Sequence, residues 1–227
     1  MTMETKQQRF VQKQRTNTLM QLAYNELRES IINNTLQPGD VLSEQQIAQQ
    51  LNISRTPVRE ALAILESEGL IEIRRGIGAF VKPLSYKDIS NIFEVRRPLE
   101  TLAVRTAILH ITPEDIAAMR EKFSDILTRY ENHERVKVSE FYQADTAFHD
   151  LIVERCENPY VQRFMHTINS NVRRMQVIFS TSVQSNLKEA VQQHLRLLDL
   201  MESQNIAELE AELDKQLLTS KQRYVDV

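Results

Sequence analysis

Apolar residues return every three or four positions through most of this chain, and where that period changes it marks the elements. Leu19, Leu22, Ala23, Leu27 and Ile31 draw one stripe, which predicts an amphipathic helix ending near Asn33 and Asn34. Gln37-Pro38-Gly39-Asp40 then has turn chemistry. A second helix is expected to open at Ser43, with Gln46 three residues on as in a capping box, and to bury Ile47, Ala48 and Leu51. Ser54 is placed to cap a third helix running to Ser67. Pro57 falls in its first turn, where no hydrogen bond is lost, and Gly69 ends it. The period next drops to two. Leu70-Ile71-Glu72-Ile73 and Ala79-Phe80-Val81 read as short strands, joined through Arg74-Arg75-Gly76-Ile77-Gly78 as a hairpin.

After Pro83-Leu84-Ser85 the helical period returns and does not lapse again. Ile89, Ile92, Phe93, Leu99 and Ala103 form the inner stripe of a helix that Ser85 can cap, with Arg96 on the same stripe and Pro98 as an expected kink. Thr112-Pro113-Glu114-Asp115 is a helix start with cap, proline and early acids. Further helices are expected over 136–155, 159–180, 186–203 and 206–224, making six in all. No glycine follows Gly78, which withholds the positive-φ turns that hairpins use. The fold class expected is therefore mainly α: an N-terminal winged helix-turn-helix plus a C-terminal antiparallel α-helical bundle. The expected divisions are a flexible tail over 1–18, a DNA-binding domain over 19–82, a linker at 83–85 and the bundle over 86–227.

Composition narrows the class. With 41% hydrophobic and 26% charged residues, and no apolar run longer than Ala61 to Leu65, no membrane-spanning helix and no membrane partner are expected. Met1 to Arg15 is polar and lacks the apolar core of a signal peptide, so a cytoplasmic location is expected. Cys156 is the one cysteine, which excludes an intramolecular disulfide and a cysteine zinc cluster. Residues 1–82 carry 10 Lys and Arg against 9 Asp and Glu, and the remainder 18 against 22, so net charge alone points to no nucleic acid.

The placement of charge points the other way. In a winged helix-turn-helix the third helix enters the major groove. Its start offers Ser54-Arg55-Thr56-Pro57-Val58-Arg59, and arginine suits bidentate bonding to guanine O6 and N7. The wing adds Arg74 and Arg75 beside Gly76, a basic tip whose glycine allows close backbone approach. The plainer reading is that these arginines pair with Glu60, Glu66 or Glu72 on a solvated surface.

The bundle's inner faces carry polar residues that need partners. Phe141, Asp145, Phe148, His149 and Ile152 form one stripe, which sets Asp145 and His149 one turn apart on one face. His194 lies between Val191 and Leu198, and Gln216 between Leu213 and Leu217; a helical hairpin turning near Gln204 would bring these two level. An Asp with imidazoles suits a divalent metal such as zinc, nickel, manganese or iron. The alternatives are core hydrogen-bonders in a metal-free helical protein, or a metal-dependent hydrolase. For the hydrolase, no separate general base or nucleophile stands out.

Leu27-Arg28-Glu29-Ser30-Ile31, Gln37-Pro38-Gly39-Asp40, Leu42-Ser43-Glu44 and Ser54-Arg55-Thr56-Pro57-Val58-Arg59-Glu60-Ala61-Leu62 resemble the GntR family of bacterial transcription regulators. The resemblance implies that Arg55 and Arg59 read bases and that Ser54, Thr56, Arg75 and Gly76 contact backbone or groove. Gln45 stands where some relatives carry a DNA-contacting Arg, and Arg28 is a phosphate contact or packs against the second helix. Asp145-x-x-Phe148-His149-x-x-Ile152 followed by Asn158-Pro159 resembles the FCD effector-binding domain of the family's FadR-type branch. This implies Asp145, His149 and His194 as metal ligands, with Gln216 where relatives usually carry a further His. It also implies a small carboxylate effector, with Arg96 of Glu94-x-Arg96-x-x-Leu99-Glu100 as a clamp or in a buried ion pair, and Asn169 and Arg173 as weaker pocket residues. The function so implied is a ligand-responsive regulator, a repressor before an activator, that binds a double-stranded operator as a homodimer.

Overall fold

The computed structural model describes residues 3–179 and 186–225, with side chains over 18–179 and 186–224. The chain divides into two units, Met1–Pro83 and Leu84–Val227.

The first unit runs α1 (Met3–Ile32), β1 (Val41–Leu42), α2 (Glu44–Gln50), α3 (Arg55–Ser67), β2 (Ile71–Arg74) and β3 (Gly78–Val81). Helix α1 extends to Met3, through the stretch expected as a tail, rather than starting near Leu19. Its stripe is buried where expected, at Ala23, Leu27 and Ile31, together with Tyr24, whose hydroxyl donates to Glu68 at 2.7 Å. These side chains pack on Val58, Ala61, Leu62 and Leu65 of α3, which in turn packs against α2 with its buried Ile47 and Ala48. Burying each Leu or Ile contributes about 1.5–3 kcal/mol. Ser43 caps α2 by accepting from the Gln46 amide, whereas Ser54 stands at the N-cap of α3 without a side-chain capping bond. The hairpin closes tightly, with Ile77 N–H donating to the Arg74 carbonyl and Gly76 at φ +75°, where a β-carbon would be strained. Strand β1 has no counterpart in the sequence reading, because two residues are too few to show a period. It pairs antiparallel with β3, Val41 to Phe80 and Leu42 to Ala79, giving the sheet order β1-β3-β2.

The second unit has six helices among the described residues: α4 (Tyr86–Ala107), α5 (Pro113–Glu131), α6 (Val138–Arg155), α7 (Pro159–Ile178), α8 (Leu187–Glu202) and α9 (Ile206–Val225). The expected end of the fourth of these, Ser180, lies outside the described residues. Ser85 with Asp88 and Thr112 with Asp115 form reciprocal capping boxes, and Asn158 accepts from the amides of Tyr160 and Val161. Helix α4 continues through Pro98. With no glycine available, His133 and Gln204 take the left-handed conformation that closes two helix ends, at φ +57° and +53°. Helix α6 packs against α4, α5, α7 and α8, and α4 also packs against α7 and α9. A polar group on the inner face of α6 is therefore surrounded by other helices, and its partners must come from them.

Candidate functional site

In the first unit, the concave face between α2, α3 and the wing is lined by Glu44, Gln45, Arg55, Arg59, Arg74, Arg75, Gly76 and Ile77, and encloses about 560 Å³. The structure brings together six of the residues singled out in the sequence. Ser54 and Thr56 are exposed at the start of the same helix. Arg28 does not line the face. Its side chain is largely buried and pairs with Glu29 at 3.2 Å. The arginines do find carboxylates, but only in part those expected. Arg74 pairs with Glu72 and lies 5.0 Å over the Phe80 ring, while Glu66 accepts from the Ile73 amide instead. Arg55 and Arg59 both reach Glu44, which the sequence reading did not name as their partner. Arg55 Nη2 is 3.1 Å from Oε2, and Arg59 donates Nε at 3.1 Å and Nη2 at 2.9 Å.

The second unit gathers its buried polar residues around α6. Asp145 Oδ1 lies 3.1 Å from His194 Nε2 and 3.8 Å from His149 Nε2, and all three residues are buried. Their outer nitrogens fix the tautomers. His194 Nδ1 lies 2.8 Å from the Ala190 carbonyl and His149 Nδ1 bonds the Glu100 carboxylate; both partners only accept, so each Nδ1 carries the hydrogen. Each Nε2 then turns to Asp145, itself an acceptor, and the centre of the cluster requires positive charge, supplied by protons or by a metal ion. A tetrahedral ion with bonds of about 2.0–2.2 Å sets its ligands roughly 3.3–3.6 Å apart, between the two distances observed. The donor set of two imidazoles and a carboxylate, each imidazole held from behind by an acceptor, fits a divalent metal.

Phe123, Phe148 and Phe141 box His194, the first stacked at 4.6 Å and the others edge-on at 5.2 and 5.7 Å. Asp145 is opposed by its own burial, yet the bond from His194 and the positive potential of His149, His194 and Arg96 hold its carboxyl below the usual range. Gln216 sits where the helical-hairpin argument set it, with Nε2 3.5 Å from His194 Nε2 and donating to Ser220 at 3.2 Å. Its Oε1 is buried with no hydrogen-bond partner among the described residues. Rotating the amide would present that oxygen to the cluster.

Arg96 is buried in the ion pair that was one of its two readings, with Glu100, whose second oxygen holds His149. Glu100 thus ties the candidate clamp to a candidate ligand. Arg96 and Asp145 line a cavity with Phe93, Phe141, Gln176, Ser220, Arg223 and Tyr224, whose free volume of about 10 Å³ is roughly one water. Asn169 and Arg173 do not line it. Asn169 donates to Asp150 at 2.7 Å. Their place is taken by Gln176, seven residues beyond Asn169 on α7, which donates to Asp145 Oδ2 at 2.7 Å and accepts from Thr146.

The family model for the FCD domain matches residues 91–217, and that for bacterial regulatory proteins of the gntR family matches residues 19–81. The gluconate operon transcriptional repressor of Bacillus subtilis is 32% identical over 188 residues, covering 82% of this chain and 73% of its own. The chain belongs to the GntR family. As a GntR regulator with an FCD domain, consistent with the FadR-type branch, it is a DNA-binding transcription regulator and not an enzyme. The repressor RspR of Escherichia coli is 26% identical over 190 residues, covering 84% of this chain and 82% of its own. In fold, the GntR chain is similar to E. coli McbR/YncC, with a TM-score of 0.71 and 21% identity over 89% of this chain and 94% of that one. No helix among the described residues is long and apolar enough to cross a membrane. Two functional candidates escaped the sequence reading of this GntR chain. Gln176 was legible as an amide on the buried stripe of Val161, Met165, Val172 and Met175, whereas Glu44 stands in the Leu42-Ser43-Glu44 stretch with nothing local to mark it as the partner of Arg55 and Arg59.

Proposed function

We propose that this GntR regulator is a repressor whose FCD domain holds a divalent metal on Asp145, His149 and His194 and answers to a small carboxylate metabolite. It acts in the cytoplasm as a homodimer on a two-fold symmetric operator, with Arg55 and Arg59 reading bases and Ser54, Thr56, Gln45, Arg75 and Gly76 meeting backbone or groove. The observation that carries the effector side is the pair of imidazoles whose Nδ1 atoms are tied to Glu100 and Ala190 while both Nε2 atoms face Asp145. A metal there would supply a Lewis acid for a ligand oxygen. Asp145 is held in place by Gln176, and Arg96 stands beside it in the cavity with its guanidinium shared by Glu100. Because that cavity has room for about one water, an effector enters only as the lining gives way, which is a route from ligand to altered packing. The B. subtilis relative named for repression of a gluconate operon supports both the repressor sign and an organic acid as effector.

The homodimer is supported by an exposed apolar line on α4. Val95 and Leu102 stand seven residues, about 10 Å, apart along the helix, and Leu109 is exposed in the turn just after it. Tyr160 and Phe164, at the start of α7, are exposed apolar residues as well. Apolar residues gathered in this way mark an interaction face.

Native mass spectrometry of the full chain, purified without chelator or affinity histidines, tests the proposal. The expected result is a dimer with one metal per chain, lost in His194→Ala. A metal-free dimer after incubation with zinc, nickel and manganese overturns the metal centre. It would favour the second reading, a metal-free pocket anchored by Arg96, which lines the cavity beside Asp145.

A further inference from the structure

Glu44 opens α2, immediately after the N-cap Ser43, and its carboxylate collects three hydrogen bonds from two arginines of α3. The arginines are well exposed, at 62% for Arg55 and 66% for Arg59, while Glu44 is 27% exposed. The carboxylate therefore lies beneath the two guanidinium groups, on their protein side. Which atoms it uses matters. A guanidinium has five N–H donors, and Arg59 gives Glu44 the edge formed by Nε and Nη2. Nη1 and the other hydrogen on Nη2 have no hydrogen-bond partner among the described residues, and such an end-on fork can pair bidentately with guanine O6 and N7. Arg55 gives Glu44 only Nη2. Glu44 thus fixes the direction of Arg59 while leaving Nη1 and the second hydrogen of Nη2 for a base, and it holds Arg55 at Nη2, leaving Nε and Nη1.

We propose that Glu44 is a positioning residue for sequence reading: it pre-orients Arg55 and Arg59 toward base edges, and its charge weakens the grip of the same face on unrelated DNA. This rests on Arg55 and Arg59 as base readers. Two effects follow from the one carboxylate. Long side chains ordered before binding lose less freedom on binding, which favours the complex in which they have defined partners. The negative charge offsets part of the arginines' attraction for phosphate, which is the term that holds DNA of any sequence. Hydrogen bonding from Arg59 holds the Glu44 carboxyl below its ordinary value, so it stays ionised at neutral pH.

The test compares wild type, Glu44→Gln and Arg59→Ala in the full chain, on a duplex recovered by in vitro selection with the wild-type protein and on poly(dI-dC), over a salt series. Glu44→Gln is expected to bind the selected duplex several-fold more weakly and poly(dI-dC) several-fold more tightly, lowering the ratio at least tenfold. Its salt slope on poly(dI-dC) should steepen by about one ion. In the Arg59→Ala background the same substitution should move the ratio less than in wild type. An unchanged ratio, or equal tightening on both duplexes, overturns the proposal, because Glu44 would then be only a local charge. Equal effects in the wild-type and Arg59→Ala backgrounds overturn it as well. Arg59→Ala alone separates the two ideas: if it leaves the ratio intact, the base-reading assignment itself falls. Should the glutamine variant not fold, Glu44→Asp carries the comparison, since it keeps the charge but shortens the reach and should still lower the ratio.

Discussion

Glu100 shows how much one buried side chain can set. It has no solvent exposure, and its two oxygens serve different masters: one binds Arg96, the other fixes the ring of His149. Acceptors behind metal-binding imidazoles typically matter by 10- to 100-fold in affinity. Glu100→Gln is therefore expected to weaken binding of manganese or zinc by that factor in a competition titration. It should also destabilise the fold by about 3–5 kcal/mol, because the Arg96 charge is left buried without its partner. Gln216 gives the opposite expectation. An imidazole at this position faces His194 and adds a fourth ligand, the third of nitrogen, so Gln216→His should tighten zinc and nickel binding relative to wild type. Weaker zinc binding in that variant would place residue 216 outside the coordination sphere.

At the scale of elements, the local chemistry of helix starts decided most of the fold. Asp115 closes the capping box of α5; the Thr112 amide and Arg155 hold its carboxyl below the ordinary value despite partial burial. A carboxylate with a depressed folded pKa adds stability that is present above its unfolded value of about 3.9 and is lost as pH falls through the folded value. Asp115→Asn should thus be destabilised at pH 6 by about 1 kcal/mol, a typical cap contribution. Denaturant titrations should find that gap narrowing as the pH approaches 3. A gap independent of pH would assign the loss to packing instead. Caps of this kind, at Ser85 and Thr112, are also why the bundle was legible from the sequence: cap and apolar period agree within a few residues. Strand β1 and the Glu44 contacts were not legible, because each depends on chain segments brought together from a distance. The cluster falls between these cases. Helical spacing put Asp145 beside His149, and symmetry about Gln204 put Gln216 level with His194, but the third wall, Gln176, came from α7, whose orientation no local pattern fixes.

For the molecule as a whole, two proposed activities share one chain, and thermodynamics limits how they can be related. If the exposed line of Val95, Leu102 and Leu109 is a dimer face, Leu102→Glu places a charge in an apolar contact. It should then yield monomers in analytical ultracentrifugation and lose affinity for a two-fold duplex while keeping its bound metal. A variant that stays dimeric moves the interface elsewhere. Coupling between the Asp145, His149 and His194 cluster and DNA is bound more tightly still. Should metal change the affinity for a selected duplex by some factor, the duplex must change the affinity for metal by the same factor, since both are legs of one cycle. Manganese titrations with and without saturating duplex, set against duplex titrations with and without manganese, should return equal factors different from one. Two factors of one would make the ion a structural part of the bundle, leaving regulation to a carboxylate that displaces Glu100 from Arg96. Factors other than one would mean that Asp145, His149 and His194 hold not just a metal but part of the switch.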